Sequence, residues 1–365
     1  MFKTVVLRCI RTNSYGRFLL ISERQFNYGR QFYYNLESSQ PSSAYLFVNP
    51  GTLGDNTVNV RKAALSDYEN VISILQNEKI YDRLPDRYCS FISCKTNTGY
   101  VANINGLDVG FQLTHLIDDG KTLVLDELRV NKKTERKEVQ NAVLKYINEI
   151  SDPNVRLAAT GVNVVLMTNH EMGFYGTDQW NLITKRVKET FNTNMTNLLG
   201  CLRSSGIRLK TAKRLHNHDI IKMIHSPTQS QNIFKDDRLM KSEIPYRPMA
   251  SNIPLVMDKR TLSIGSNIKD DKYALLSFGT YSHIVHGLHC NLNFHGNINE
   301  SVEEHLFIHM MSLLNHSNLN ITLEICADME KDLCLIRDIM KRFCFESNRP
   351  NSTSNIITYY ERSMK

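Results

Sequence analysis

The chain has 365 residues, 41% hydrophobic and 22% charged. That is an ordinary folded composition with room for two or three domains, and it excludes a wholly disordered chain, a collagen and a small disulfide scaffold. The net charge is +7, but the first 50 residues hold six basic residues against Glu23 and Glu37, or +4, leaving only +3 for the rest. The body is therefore not expected to carry a basic groove for nucleic acid.

No run reaches the roughly 18 apolar residues of a membrane helix, so no membrane partner is expected. Residues 1–57 read as a basic N-terminal extension, free of acid before Glu23. A mitochondrial transit peptide is the alternative to a cytoplasmic protein with a basic arm. The eight cysteines form no CxxC pair and read as reduced thiols of the cytosol or an organelle matrix.

In chain order, Ser38–Thr57 is a loop rich in Ser, Pro, Gly and Asn. Val58–Arg61 alternates like a strand. Ser66-Asp67 then caps a helix whose apolar face is Leu65, Tyr68, Val71, Ile72 and Leu75. After the segment Asp82–Tyr88 comes a hairpin, with Tyr100–Ile104 and Asp108–His115 joined at Asn105-Gly106. A turn at Asp118–Gly120 leads into the strand Thr122–Val130, and Val139–Ile150 reads as an amphipathic helix ended by Asp152-Pro153. Val162–Met167, a helix around Glu171–Gln179 and Trp180–Lys185 complete a first unit, 58–195.

The connecting segment 196–245 holds a basic helix-like stretch, Arg203–Lys222, and a polar loop, Ser226–Gln231. A second unit, 246–361, follows. Its expected strands are Leu255–Met257, Tyr273–Phe278, Leu288–Phe294, Leu319–Cys326 and Ile356–Tyr360. Its expected helices are Glu300–Asn315 and Asp328–Phe343. The element order of both units predicts an α+β fold, a mixed sheet flanked by helices, made twice.

Seven of the twelve histidines lie between 283 and 316. His305 and His309 share a helix face at a spacing that holds metals, but ordinary histidines at a domain surface are the expected reading, and no metal site is assigned. No Gly-Xaa-Ser-Xaa-Gly elbow and no GxxxxGK[ST] phosphate loop occurs, so hydrolase and nucleotide-triphosphatase readings have little support. The stretch Leu123–Val130, then Asn131–Gln140, then a helix, suits a pyrophosphate: backbone N–H groups at the strand end and a helix N-terminus face the anion. Asp126 or Glu127 within the strand is the candidate base.

Asp82–Tyr88, Ile117–Gly120, Leu128–Val130 and Leu182–Lys185 occur in the order used by the Gcn5-related N-acetyltransferases (GNAT). More narrowly the chain resembles the histidine N-acetyltransferase and probable N-acetyltransferase 16 group. Tyr246-Arg247-Pro248, Ser251-Asn252 and Ala274–Gly296 resemble that group's C-terminal domain. The resemblance covers about 58–350. It implies a V-shaped opening between two central strands, with acetyl-CoA as cosubstrate. A small-molecule amine, histidine in the best-known members, attacks the thioester directly.

Carried onto this sequence, the donor site is Leu128, Arg129, Val130, Lys133, Arg136, Lys137, Glu138 and Val139. The catalytic candidates are Asp126, Glu127 and Tyr175. Trp180 stands where the family has a tyrosine, and Tyr175 is the nearby phenol, a general acid or an ordinary core residue. One departure concerns the phosphate loop, where Arg136 and Glu138 replace two glycines that let backbone N–H groups approach phosphates. Two readings follow: an N-acetyltransferase, or a non-catalytic relative that binds a small molecule or protein in the same cleft. Neither the acceptor nor the oligomeric state follows from the sequence.

Overall fold

The computed structural model describes residues 57–74, 82–131, 134, 136–163, 179–269, 272–298, 301–316, 320–347 and 355–364. Lys132, Lys133, Glu135, Tyr175, the helix expected at Glu171–Gln179 (all but its last residue) and nearly all of the N-terminal extension lie outside them.

The first half opens with β1 (Asn59–Lys62) and a turn of 3-10 helix closed by the Asp67 carboxylate, which accepts from Ala64 N at 2.8 Å. Helix α1 (Tyr68–Ser73) and helix α2 (Leu84–Ile92) follow. Strands β2 (Asn97–Ile104) and β3 (Leu107–Ile117) form the expected hairpin, with Asn105 at φ 52° and Gly106 at φ 83° as its two-residue turn. Strand β4 (Thr122–Val130), helix α3 (Arg136–Ile150) and β5 (Leu157–Asn163) come next, then the long β6 (Asn181–Asn194).

Helix α4 (Met195–Ser204), a short β7 (Ala212–Arg214), α5 (Asn217–His225) and α6 (Pro227–Ile233) lead to the hairpin β8 (Leu239–Lys241) and β9 (Ile244–Tyr246). After α7 (Ile253–Val256) the second half runs β10 (Thr261–Lys269), β11 (Lys272–Ile284) and β12 (Gly287–Gly296). Then come α8 (Val302–Leu313), β13 (Asn320–Ala327), α9 (Glu330–Arg342), β14 (Glu346–Ser347) and β15 (Asn355–Ser363).

One mixed sheet carries both halves, in the order β1-β2-β3-β4-β5-β15-β6-β13-β12-β11-β10-β7. Each half repeats three antiparallel strands, a crossover helix and a parallel fourth strand: β2-β3-β4-α3-β5, and β10-β11-β12-α8-β13. The next strand of each half is exchanged. β6 pairs with β13 of the second half, while β15, at the far end of the chain, pairs with β5 of the first. The two exchanged strands pair with each other at the centre.

Two expectations fail at prolines, and a third segment gains an element there. Asp82–Tyr88, given no element from the sequence, leads into α2 at Leu84. Ser226–Gln231 enters helix α6, and Leu255–Met257 is largely helix α7 rather than a strand. Pro85, Pro227 and Pro254 all sit in the first turn of these helices. There a missing N–H costs nothing and φ is already helical. The stretch Arg203–Lys222 is not one helix: Gly206, at φ 62°, and β7 interrupt it.

The histidine and cysteine readings change too. His305 and His309 are buried rather than at a surface. Ser277 Oγ lies 2.7 Å from His305 Nδ1 and 2.9 Å from His309 Nε2, and Ser266 Oγ lies 2.8 Å from His305 Nε2. A chain of single protons along these hydroxyls satisfies both rings in the neutral form. Cys201 and Cys344 are joined as a disulfide, against the reading of reduced thiols throughout.

Candidate active site

Strands β4 and β5 stay paired only from Thr122↔Leu157 to Leu125↔Thr160. Beyond that β5 continues beside β15 and β4 continues beside β3, so the two part. At the parting point β4 bulges. Leu113 faces Asp126 and Phe111 faces Arg129, so Gln112 opposes two residues, Glu127 and Leu128. Glu127 takes φ 49°, the left-handed conformation that lets a bulge re-aim its strand. The buried Gln112 amide spans the irregularity, donating to the carbonyls of Leu113 and Asp126. In the second half, β12 and β13 pair without a break from Gly287↔Asn320 to Asn293↔Cys326. There the pairing stops before β12 ends, and Arg186 Nη2 donates to the carbonyls of Phe294 and Cys326, so a side chain fills the point of parting.

Beside the bulge lies a cavity of about 340 Å³, lined by both halves. The first supplies Arg83, Arg87, Phe91, His115 and Asp126; the second supplies Lys241, Tyr246, Asp258 and Arg260. Asp126 Oδ1 accepts from Glu127 N at 2.9 Å, and Oδ2 meets His115 Nε2 at 3.1 Å. His115 Nδ1 lies 3.0 Å from Asn97 Oδ1, so the ring is held at both nitrogens. Burial pushes the Asp126 carboxyl up, but Arg83 and the His115 hydrogen bond together pull it below the ordinary carboxylate value. It is therefore an ionised acceptor at neutral pH.

The Glu127 carboxylate turns to Arg83 Nε at 2.8 Å, and Arg83 also reaches Asp126 at 3.4 Å. The two strand carboxylates thus differ: Asp126 lines the cavity, whereas Glu127 is buried and holds Arg83. Of the donor-site residues, Arg129 is buried against Asp82, while Val130 and Val139 belong to the core that packs α3 on the sheet. Leu128 is partly buried against that core. Arg136, Lys137 and Glu138 are exposed in the first turn of α3.

The motifs that are far apart in sequence meet here. Asp118, in the β3–β4 turn, accepts from Arg247 N at 3.1 Å and from the Asn252 amide at 2.7 Å, and its own N–H donates to Asn252 Oδ1 at 2.9 Å. Asp118 and Asn252 are both buried. The segment Asp82–Tyr88 faces the cavity through Arg83 and Arg87. Sequence reasoning missed His115, Arg87, Lys241 and Asp258. The hairpin register carried a signal for the first: with Ile117 opposite Thr122, His115 and Asp126 are diagonal neighbours on one face. For Lys241 and Asp258 no local pattern existed.

Comparison with known proteins agrees with this architecture. A tandem GNAT protein from the clavulanic acid biosynthesis pathway superposes with a TM-score of 0.52 at 10% identity, covering 85% of this chain and 99% of its own. The Saccharomyces cerevisiae N-myristoyltransferase with bound myristoyl-CoA gives 0.50 at 10% identity, covering 86% and 84%. These likenesses show the fold, a GNAT-type fold in two halves.

The narrower resemblance is to the histidine N-acetyltransferase group. A family profile described as "Histidine N-acetyltransferase, C-terminal" matches residues 208–328. Probable N-acetyltransferase 16 of Homo sapiens is 25% identical over 53% of this chain and 54% of its own length. The histidine N-acetyltransferase of Scomber australasicus is 23% identical over 58% and 65%. The matches thus span between half and two thirds of these relatives. No helix among the described residues is long and apolar enough to cross a membrane.

Proposed function

We propose that the first half transfers an acetyl group from acetyl-CoA to the amine of a small molecule, an amino acid of the histidine type. The observation that carries this reading is the parting of β4 from β5 at a bulge whose Asp126 carboxylate lines a cavity. The donor enters where β4 and β5 part, with backbone groups of Leu128–Val130 toward its pantetheine. Its phosphates lie toward the first turn of α3, with Lys133, Arg136 and Lys137 opposing Glu138.

The acceptor amine occupies the cavity. Its nitrogen attacks the thioester carbonyl, the C–N bond forms, the C–S bond breaks and CoA leaves as the thiolate. Asp126, held by His115, takes the proton released by the amine, and Tyr175 is the proposed donor of a proton to the thiolate. Glu127 acts by fixing Arg83. The reading of a non-catalytic relative rests on Arg136 and Glu138 in place of the glycines expected from the family.

The test is calorimetric titration with acetyl-CoA, followed by thiol release measured across the amino acids. Micromolar binding with amine-dependent thiol release is expected. No binding at millimolar acetyl-CoA removes the transferase reading and leaves the binding module.

A further inference from the structure

Arg83 at the N-cap of helix α2, and Arg87 and Phe91 within it, line the cavity at four-residue spacing. Arg83 is engaged by Glu127 through Nε and by Asp126 through Nη2. Arg87 is not engaged in this way. Its guanidinium lies over the Phe91 ring, 4.9 Å from the centroid, its ion-pair partner among the described residues is Asp258 Oδ2 at 3.5 Å, and Asp86 acts on it from further away. That carboxylate is already committed. Lys241 Nζ holds Oδ2 at 2.9 Å, while Thr261 Oγ1 and Arg260 N hold Oδ1 at 2.8 and 2.9 Å. Arg87 Nε is buried without a hydrogen-bond partner. Burial holds Arg87 below the ordinary guanidinium value, with Asp258 and Asp86 opposing that effect and Arg260 and Arg83 adding to it.

The charge count agrees. Arg83, Arg87, Lys241, Lys259 and Arg260 line the cavity. Asp126 and Asp258 line it too, so the lining residues carry 5 − 2 = +3, offset from behind by Glu127 and Glu243 near Arg83 and by Asp86 at Arg260. A half-buried guanidinium that faces a small cavity and shares its nearest carboxylate with a lysine suits an anion, and a carboxylate matches its fork.

We infer that Arg87 is the recognition residue for the acceptor's carboxylate, anchoring it on the helix α2 wall while the amine faces Asp126. This deepens, and rests on, the acceptor reading above. It makes the acceptor an α-amino acid with a free carboxylate rather than a plain amine, and assigns its specificity to α2 and to the Lys241–Asp258 wall of the second half.

The experiment uses the full chain and a panel of amino acids, histidine first, each paired with its decarboxylated amine. The wild type is expected to bind the best amino acid roughly 100-fold more tightly than its amine, the scale of a charge-assisted pair. Arg87→Gln should raise KM for the amino acid by about that factor with kcat little changed, leave the amine's KM within about twofold, and keep acetyl-CoA affinity. Arg87→Lys should restore part of the loss. Equal losses for both members of a pair mean that Arg87 only supports the wall, and overturn the inference.

So does a wild type in which no amino acid outbinds its amine, a comparison that needs no variant to fold. If amino-acid binding measured by calorimetry depends on Arg87 but no acetyl transfer follows, the recognition role stands and the transferase reading falls.

Discussion

Two carboxylates adjacent in sequence, Asp126 and Glu127, have been separated by one residue in a left-handed conformation. Glu127 at φ 49° turns to Arg83, and Asp126 stays with His115 at the cavity. Asp126→Asn is expected to lower turnover about 100- to 10,000-fold while changing acetyl-CoA affinity far less. Unchanged turnover, where chemistry limits the rate, would remove Asp126 from the mechanism. The α3 entry allows a second change at the same scale. Glu138 is exposed in its first turn, where the donor phosphates are proposed to lie. Glu138→Gly removes a like charge and a Cβ, and should tighten acetyl-CoA roughly tenfold at low salt. Weaker binding by this variant would mean that the native side chains solve the phosphate problem in their own way.

Among the elements, α8 carries two charge-sensitive groups into the core. Burial lowers His309 to about 3 and His305 well below its ordinary value. His295, on β12, is likewise pushed down to about 3 by burial, with Arg186 beside it. Each folded value lies below the unfolded 6.5, so the native state refuses a proton that the unfolded chain accepts. Stability is full above pH 6.5 and falls as the pH drops toward 3. The loss approaches roughly 1.4 kcal/mol per histidine for each pH unit. Urea unfolding at pH 7 and pH 5 measures it. His309→Gln should be less stable at pH 7 yet decline less steeply on acidification; an identical slope would acquit His309.

At the scale of the whole molecule, the exchanged strands β6 and β15 and the Asp118–Asn252 clasp hold the two halves as one sheet and one site. Asn252→Ala leaves the Asp118 N–H and carboxylate short of partners, at an expected cost of about 2–4 kcal/mol. The acceptor's KM should rise as well, because the second-half wall is tied down at that point. A variant that melts with the wild type would show the clasp to be idle. The Cys201–Cys344 bond joins residues 143 apart in sequence. Loop-closure arguments give it about 5 kcal/mol, so Cys201→Ser should melt well below the oxidised wild type. Equal melting under oxidising and reducing conditions would mean that the thiols are not joined in solution.

Local chemistry alone determined much of this protein. The Asn105-Gly106 hairpin, the strand Thr122–Val130, the helices α3, α8 and α9 and the repeated element order are set by turn residues and apolar periodicity, which act over a few residues. The strand carboxylates were legible only as a pair, Asp126 or Glu127, and the segments holding Asp118 and Asn252 were marked separately, with nothing local to say that they meet. Helices opening on Pro85, Pro227 and Pro254 were obscured because proline marks both loops and helix starts.

Only the tertiary structure decided the exchange of β6 and β15, since strand partners are chosen by long-range pairing that no local pattern encodes. It alone gave Glu127 to Arg83, through a backbone conformation set by the bulge. It also brought Arg87, Lys241 and Asp258 around one cavity, because the electrostatic meaning of a charged side chain lies in the neighbours that folding gives it.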